Sequence, residues 1–234
     1  MPISGGTSAP AFADAQTGYF GFGAGIVVRT ADAGASWTPI SSGSGNTILD
    51  MDRFANGDLI AVGEAGQVLT RGAGSITWRI RGTLGAASLV SVQVVGPQAV
   101  LTVDQTGIVH RSADAGATWV TAAIAPAGLN SAAALHFNGL NEGWVIGQGF
   151  GGAALFHTID GGNAWTAVPD FQGSYVAVDF AGASGWAAAA FGAINRTVDA
   201  GASWSEVPLP GNGLSIADMD FWDSSVGYAV GGGG

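Results

Sequence analysis

An eight-residue phrase recurs five times along the chain at nearly constant spacing. It reads Thr30-Ala-Asp32-Ala-Gly34-Ala-Ser36-Trp37 and Ser112-Ala-Asp114-Ala-Gly116-Ala-Thr118-Trp119. It returns as Thr158-Ile-Asp160-Gly-Gly162-Asn-Ala164-Trp165 and Thr197-Val-Asp199-Ala-Gly201-Ala-Ser203-Trp204. A worn copy, Arg71-Gly-Ala73-Gly-Ser75-Ile-Thr77-Trp78, fills the gap. The five tryptophans lie 41, 41, 46 and 39 residues apart. A period of that length marks one supersecondary unit copied several times. The repeats fall at about 9–43, 44–84, 85–126, 127–170 and 171–210, with a half repeat at 211–234, in a single domain spanning 1–234.

The fifth unit shows the plan. Residues 174–180 alternate and are rich in β-formers, so they predict a first strand. Residues 186–190, 193–197 and 204–208 predict three more, separated by turns at 181–185, Gly192 and 199–201. Glycines stand twelve residues before Trp37, Trp78, Trp119 and Trp204, where the second strand turns into the third. No segment holds a helical period. Four short antiparallel strands in about 40 residues make a propeller blade. The expected fold is all-β, a propeller of five full blades and a half, either six-bladed or part of a larger ring.

Within the phrase, Asp32, Asp114, Asp160 and Asp199 sit where a turn carboxylate accepts backbone amides. Trp37, Trp78, Trp119, Trp165 and Trp204 are large apolar wedges between sheets. A feature present at every repeat reads as scaffold. A calcium loop needs an alternating set of carboxylates, and each turn supplies one. The phrase resembles the Asp-box, or bacterial neuraminidase repeat. With its flanking Gly-x-Ile-x-Arg-Thr and preceding Gly-Tyr/Trp-x-Val-Gly, it looks most like the propellers of the photosystem II assembly and stability factor family. That resemblance implies the fold over nearly the whole chain. It also implies a basic, Arg-rich patch for binding a client protein.

Composition narrows the function. The chain of 234 residues is 47% hydrophobic and 10% charged, with a net charge of −10 and no lysine. Nucleic-acid binding needs a basic footprint, which is missing. No cysteine is present, so thiolate metal sites are excluded. The N-terminal residues lack a signal-peptide pattern, and the longest apolar stretch, 185–194, is about half a membrane span. No membrane insertion is expected. A virion or extracellular location is favoured, or a periplasmic one if a signal has been removed.

Catalytic signatures are missing. A sialidase of the Asp-box family carries an arginine triad, a Tyr–Glu nucleophile pair and an Arg-Ile-Pro signature; the nearest string here is Arg79-Ile80-Arg81. Arg29, Arg71, Arg111 and Arg196 sit on third strands beside the phrase. Of these, Arg29, Arg111 and Arg196 align with one another, and His157 takes their place in the fourth unit. They read as surface or strand-pairing residues. First strands place Asp52, Gln93, His136, Asp179 and Asp220 at one equivalent position. Asp50, Ser91, Ala134, Ala177 and Asp218 lie two residues earlier, with apolar residues between. Period two puts the polar residues on one face. That face reads as a polar central channel, or as a ligand site built from its unlike members.

The half repeat has a first strand at 214–221 and a second at 227–231. An unfinished sheet exposes an edge. The N-terminal segment, a second chain or further sequence would have to cover it. The expected function is non-enzymatic, with no cofactor and no bound metal. It is a structural or protein- and glycan-interaction module, such as a phage tail or fibre component or an extracellular one. A protein partner or self-association at the incomplete blade goes with it. The alternatives are a protein-binding scaffold like the photosystem assembly factors and a sialidase-type glycoside hydrolase.

Overall fold

A computed structural model describes residues 10–123, 129–149, 154–209 and 215–232. The chain divides into two compact units, Met1–Thr121 and Ala122–Gly234. The expected cover at 1–9, the lead-out at 210–213 and the start of the half repeat at Leu214 lie outside the described residues.

The first unit holds three four-stranded antiparallel sheets. β1 (Ala11–Phe12), β2 (Gly18–Gly21), β3 (Ile26–Thr30) and β4 (Thr38–Ser41) pair in sequence order. So do β5 (Ile48–Arg53), β6 (Leu59–Gly63), β7 (Gln67–Arg71) and β8 (Arg79–Thr83). The third sheet comprises β9 (Leu89–Val94), β10 (Val100–Asp104), β11 (Ile108–Ser112) and β12 (Val120–Ala123).

The second unit repeats the plan. β13 (Ser131–Asn138), β14 (Glu142–Gly149), β15 (Leu155–Thr158) and β16 (Thr166–Ala167) form one meander. β17 (Gly173–Ala181), β18 (Ser184–Ala189), β19 (Ile194–Thr197) and β20 (Ser205–Val207) form the next. The two are joined where Gln148 and Gly149 pair with Ser174 and Gly173. β21 (Ser215–Phe221) and β22 (Gly227–Gly232) make a two-stranded sheet. Among the described residues no helix is long and apolar enough to cross a membrane.

Burial follows strand rank. Second strands of the four-stranded meanders are largely covered on both faces, and β6 is buried at all five residues. They therefore read as unbroken apolar runs. Fourth strands are exposed, β8 along its whole length. Apolar side chains of one sheet pack on the next. Tyr19 and Val27 meet Ile48, Met51, Leu59 and Leu69 in one cluster, and Ile60 and Val62 meet Leu89, Val92 and Val100 in another. Each such side chain contributes about 1.5–3 kcal/mol by burial. In the second unit rings carry the packing. Trp144 of β14 stacks on Phe180 of β17 at 3.7 Å, and Trp186 of β18 stacks on Phe221 of β21 at 3.6 Å. The same rings cover the glycines that open the second strands. A Cβ on Gly185 would lie 2.2 Å from the Phe180 ring, and one on Gly227 2.2 Å from Phe221.

Candidate functional site

A bulge recurs in five of the first strands and sets the polar row. The register shifts between Ile48 and Asp50, Leu89 and Ser91, Ala132 and Ala134, Tyr175 and Ala177, and Ile216 and Asp218. One extra residue re-aims those that follow. Past it, the carboxylates of β5 and β17 reach the next first strand along the chain.

In the first unit, Asp52 Oδ1 accepts its own next amide, Arg53 N, at 2.6 Å, and Oδ2 accepts Val94 N at 2.6 Å. Asp50 does the same with Met51 N and Val92 N, both at 2.8 Å. Val92 and Val94 are two residues apart on β9, so their amides share one strand edge. Two carboxylates thus close that edge. Burial pushes Asp50 up to about 7 against the pull of the Val92 and Met51 amides, and the neighbouring Asp52 adds to the rise. Burial also raises Asp52. Gln93 sits half-buried on β9.

The second unit carries the same device. Asp179 Oδ1 accepts Phe180 N at 2.9 Å, and Oδ2 accepts Phe221 N at 2.6 Å. His136 Nδ1 meets Asp179 Oδ1 at 2.9 Å. The structure therefore joins His136 to Asp179 and aims Asp179 at β21. These groups are engaged with neighbouring strands. Among the described residues no cluster of three or more His, Asp or Glu could hold a metal ion.

The row ends differently at β21. Asp218 Oδ1 accepts Met219 N at 2.8 Å, as Asp50 does with Met51. Yet no amide meets Asp218 Oδ2, and none meets the exposed Asp220, among the described residues. Burial raises Asp218, with Asp220 and Asp179 adding repulsion; burial and Asp179 raise Asp220. Beside them on the hairpin stand Trp222, Tyr228 and Val230, exposed by 88%, 76% and 61%. The sequence reading noted the Asp218–Asp220 pair but not the aromatics next to it.

The repeated turns satisfy themselves. Thr30 Oγ1 donates to Asp32 Oδ1 at 2.7 Å and accepts Gly34 N at 2.9 Å, while Asp32 accepts Ser36 N at 2.9 Å. Asp114 accepts Ala117 N and Thr118 N, Asp160 accepts Asn163 N and Ala164 N, and Asp199 accepts Ser203 N. The hydroxyl and amide donors, led by the Ser or Thr at the turn's end, hold Asp32, Asp114 and Asp199 down to about 2. Trp119, Trp165 and Trp204 each donate their indole N–H to the turn glycine carbonyl at 3.1–3.2 Å. Trp78 and Trp165 are buried; Trp37, Trp119 and Trp204 are half-buried, less covered than wedges between sheets would be.

Residues 131–221 match the family model of the Photosynthesis system II assembly factor YCF48. No curated protein matches the chain in sequence. Among solved structures, YCF48 from Cyanidioschyzon merolae is similar over 99% of this chain and 94% of its own, at 15% identity and a TM-score of 0.66. YCF48 bound to D1 peptide is similar over 99% and 90%, at 16% identity and a TM-score of 0.57. A GH74 enzyme from Niastella koreensis is 21% identical with a TM-score of 0.66, over 94% of this chain but 34% of the enzyme. The chain is an all-β propeller of four-stranded antiparallel blades with neuraminidase-type repeats. Its residues 131–221 are similar to the photosystem II assembly factor family.

Proposed function

We propose that this chain is a non-enzymatic protein-binding scaffold that receives an extended strand of a partner protein along β21. The observation that carries the reading is the pair Asp218 and Asp220, which hold no neighbouring strand's amide among the described residues. Their counterparts Asp50 and Asp52 each hold one backbone amide of a neighbouring strand, and the two amides lie two residues apart. A partner strand with two such amides would find the same acceptors ready, and Trp222, Tyr228 and Val230 offer apolar contact beside them. Support also comes from a similar propeller described as bound to a peptide. The comparisons favour this binding role over a phage tail or fibre component. The GH74 likeness is one of fold.

The test uses a labelled peptide of residues 89–95, the strand that Asp50 and Asp52 hold, with a solubilising tail. Fluorescence anisotropy should show saturable binding to the intact chain. The Asp218→Asn/Asp220→Asn double variant should bind at least about tenfold more weakly with an unchanged circular-dichroism spectrum. Equal binding by that variant, or none at millimolar peptide, would overturn the reading. Sedimentation over a concentration series reports whether a second copy takes the strand's place, an outcome that would also overturn it.

A further inference from the structure

We propose that a band of turns in the second unit is a docking surface for a basic, amphipathic helix of a partner protein. It does not rest on the β21 reading; Trp222 alone is common to both. Four turns carry exposed apolar side chains: Leu140 between β13 and β14, Ile159 after β15, Val198 after β19 and Trp222 after β21. They are exposed by 54%, 73%, 62% and 88%. Hydrogen bonds link these turns into one band. Gly161 N donates to Asn141 O at 2.7 Å, and Ala200 N donates to Ala183 O at 2.8 Å. Asn138 Nδ2 donates to Gly182 O at 3.1 Å, which carries the band from one meander to the next. Arg196 Nη2 donates to Ser224 O at 3.3 Å and carries it on to the β21–β22 hairpin.

Each of these side chains stands immediately before a polar one, in Leu140-Asn141, Ile159-Asp160, Val198-Asp199 and Trp222-Asp223. Donors within the turns hold the three carboxylates below the ordinary range, led by Ala164 N at Asp160, the Ser203 hydroxyl at Asp199 and the Ser225 hydroxyl at Asp223. They are therefore ionised at neutral pH. The wider charge agrees. The second unit has nine Asp and Glu against one Arg, whereas the first has eight against six. In the first unit the places of Ile159 and Val198 are held by Ala31, Gly72 and Ala113. Exposed apolar side chains gathered in one place mark interaction surfaces. Interspersed carboxylates select a cationic partner and disfavour an anionic membrane. The turn backbone decides the partner's shape. Its amides are taken, those of Asn163 and Ala164 by Asp160, that of Ser203 by Asp199, and those of Ser225 and Val226 by Asp223. With those amides spent inside the turns, contact runs through side chains, which suits a helix that satisfies its own backbone.

The probe is a labelled amphipathic helical peptide with leucine on one face and lysine on the other. In an anisotropy titration of the intact chain at low salt, binding should saturate below about 100 µM and weaken as salt rises. The Ile159→Ser/Val198→Ser double variant keeps the charge and should bind at least about tenfold more weakly, with an unchanged circular-dichroism spectrum. Val120→Ser removes a side chain from the first unit that is as exposed as Ile159, at 73%. It should leave binding unchanged. Undiminished binding by the double variant, an equal loss in Val120→Ser, equal binding of a peptide with glutamate in place of lysine, or no binding by the native chain would each overturn the proposal.

Discussion

Asp179 Oδ2 takes the backbone N–H of Phe221 at 2.6 Å, across 42 residues of sequence. Asp50 reaches Val92 and Asp52 reaches Val94 over the same span of 42 residues. Aspartates of the first strands thus fasten β5 to β9 in one unit and β17 to β21 in the other.

Removing such a carboxylate leaves a partly buried amide unpaired, which costs about 1–3 kcal/mol. Asp52→Ala should lower the urea unfolding free energy by that amount. Asp220→Ala, which frees no amide among the described residues, should change it by less than about 0.5 kcal/mol. Equal losses from the two would mean that the Val94 bond contributes nothing.

Asp50 sets one limb of the pH profile. Its folded-state value is raised to about 7 by burial, above its unfolded value near 4. The folded state therefore holds the proton more tightly. Its stabilising contribution is complete below pH 4 and is lost as pH rises towards 7, with a slope of at most about 1.4 kcal/mol per pH unit. Asp50→Asn should flatten the melting temperature over that window.

The exposed turn carboxylates act in the opposite sense. Asp32, Asp114 and Asp199 are lowered to about 2, so the stability they confer is present above pH 4 and lost as pH falls from 4 towards 2. A triple Asp→Asn variant at these positions should lose that acid limb in a thermal melt followed by circular dichroism.

Gly201 is fixed by a neighbour. Its φ is +83°, and a Cβ there would come within 2.9 Å of Trp144 Nε1. Gly201→Ala should destabilise by about 1–3 kcal/mol. Gly43→Ala, at φ +77° with nothing within 4 Å, should cost only the backbone strain of about 1 kcal/mol. The difference, read from paired urea melts, isolates the contact.

The strands were legible because each repeat states its own period and turns. The expected strands at 174–180, 186–190, 193–197 and 204–208 lie within a residue or two of β17 to β20. The polar face of the first strands was legible too, but not its partner. Alternation tells which side of a strand is polar; it cannot tell that Asp52 faces an amide 42 residues on rather than solvent. The bulges that aim these carboxylates leave no mark in composition. The burial of Arg71 was hidden by likeness. Grouped with Arg29, Arg111 and Arg196, it passes for another strand-pairing arginine. The signal that sets it apart is one residue of offset, which moves it from their place to that of the buried Thr30 and its counterparts.

The 42-residue span of these bonds also bears on how the protein reaches its fold. Closing a loop of that length costs roughly 3 kcal/mol in chain entropy, more than one amide–carboxylate bond returns. The hairpins of a sheet, whose partners are only a few residues apart, can form first and shorten the effective loop. The carboxylates of β5 and β17 then act as latches between sheets already made, closing long loops that the hairpins have shortened.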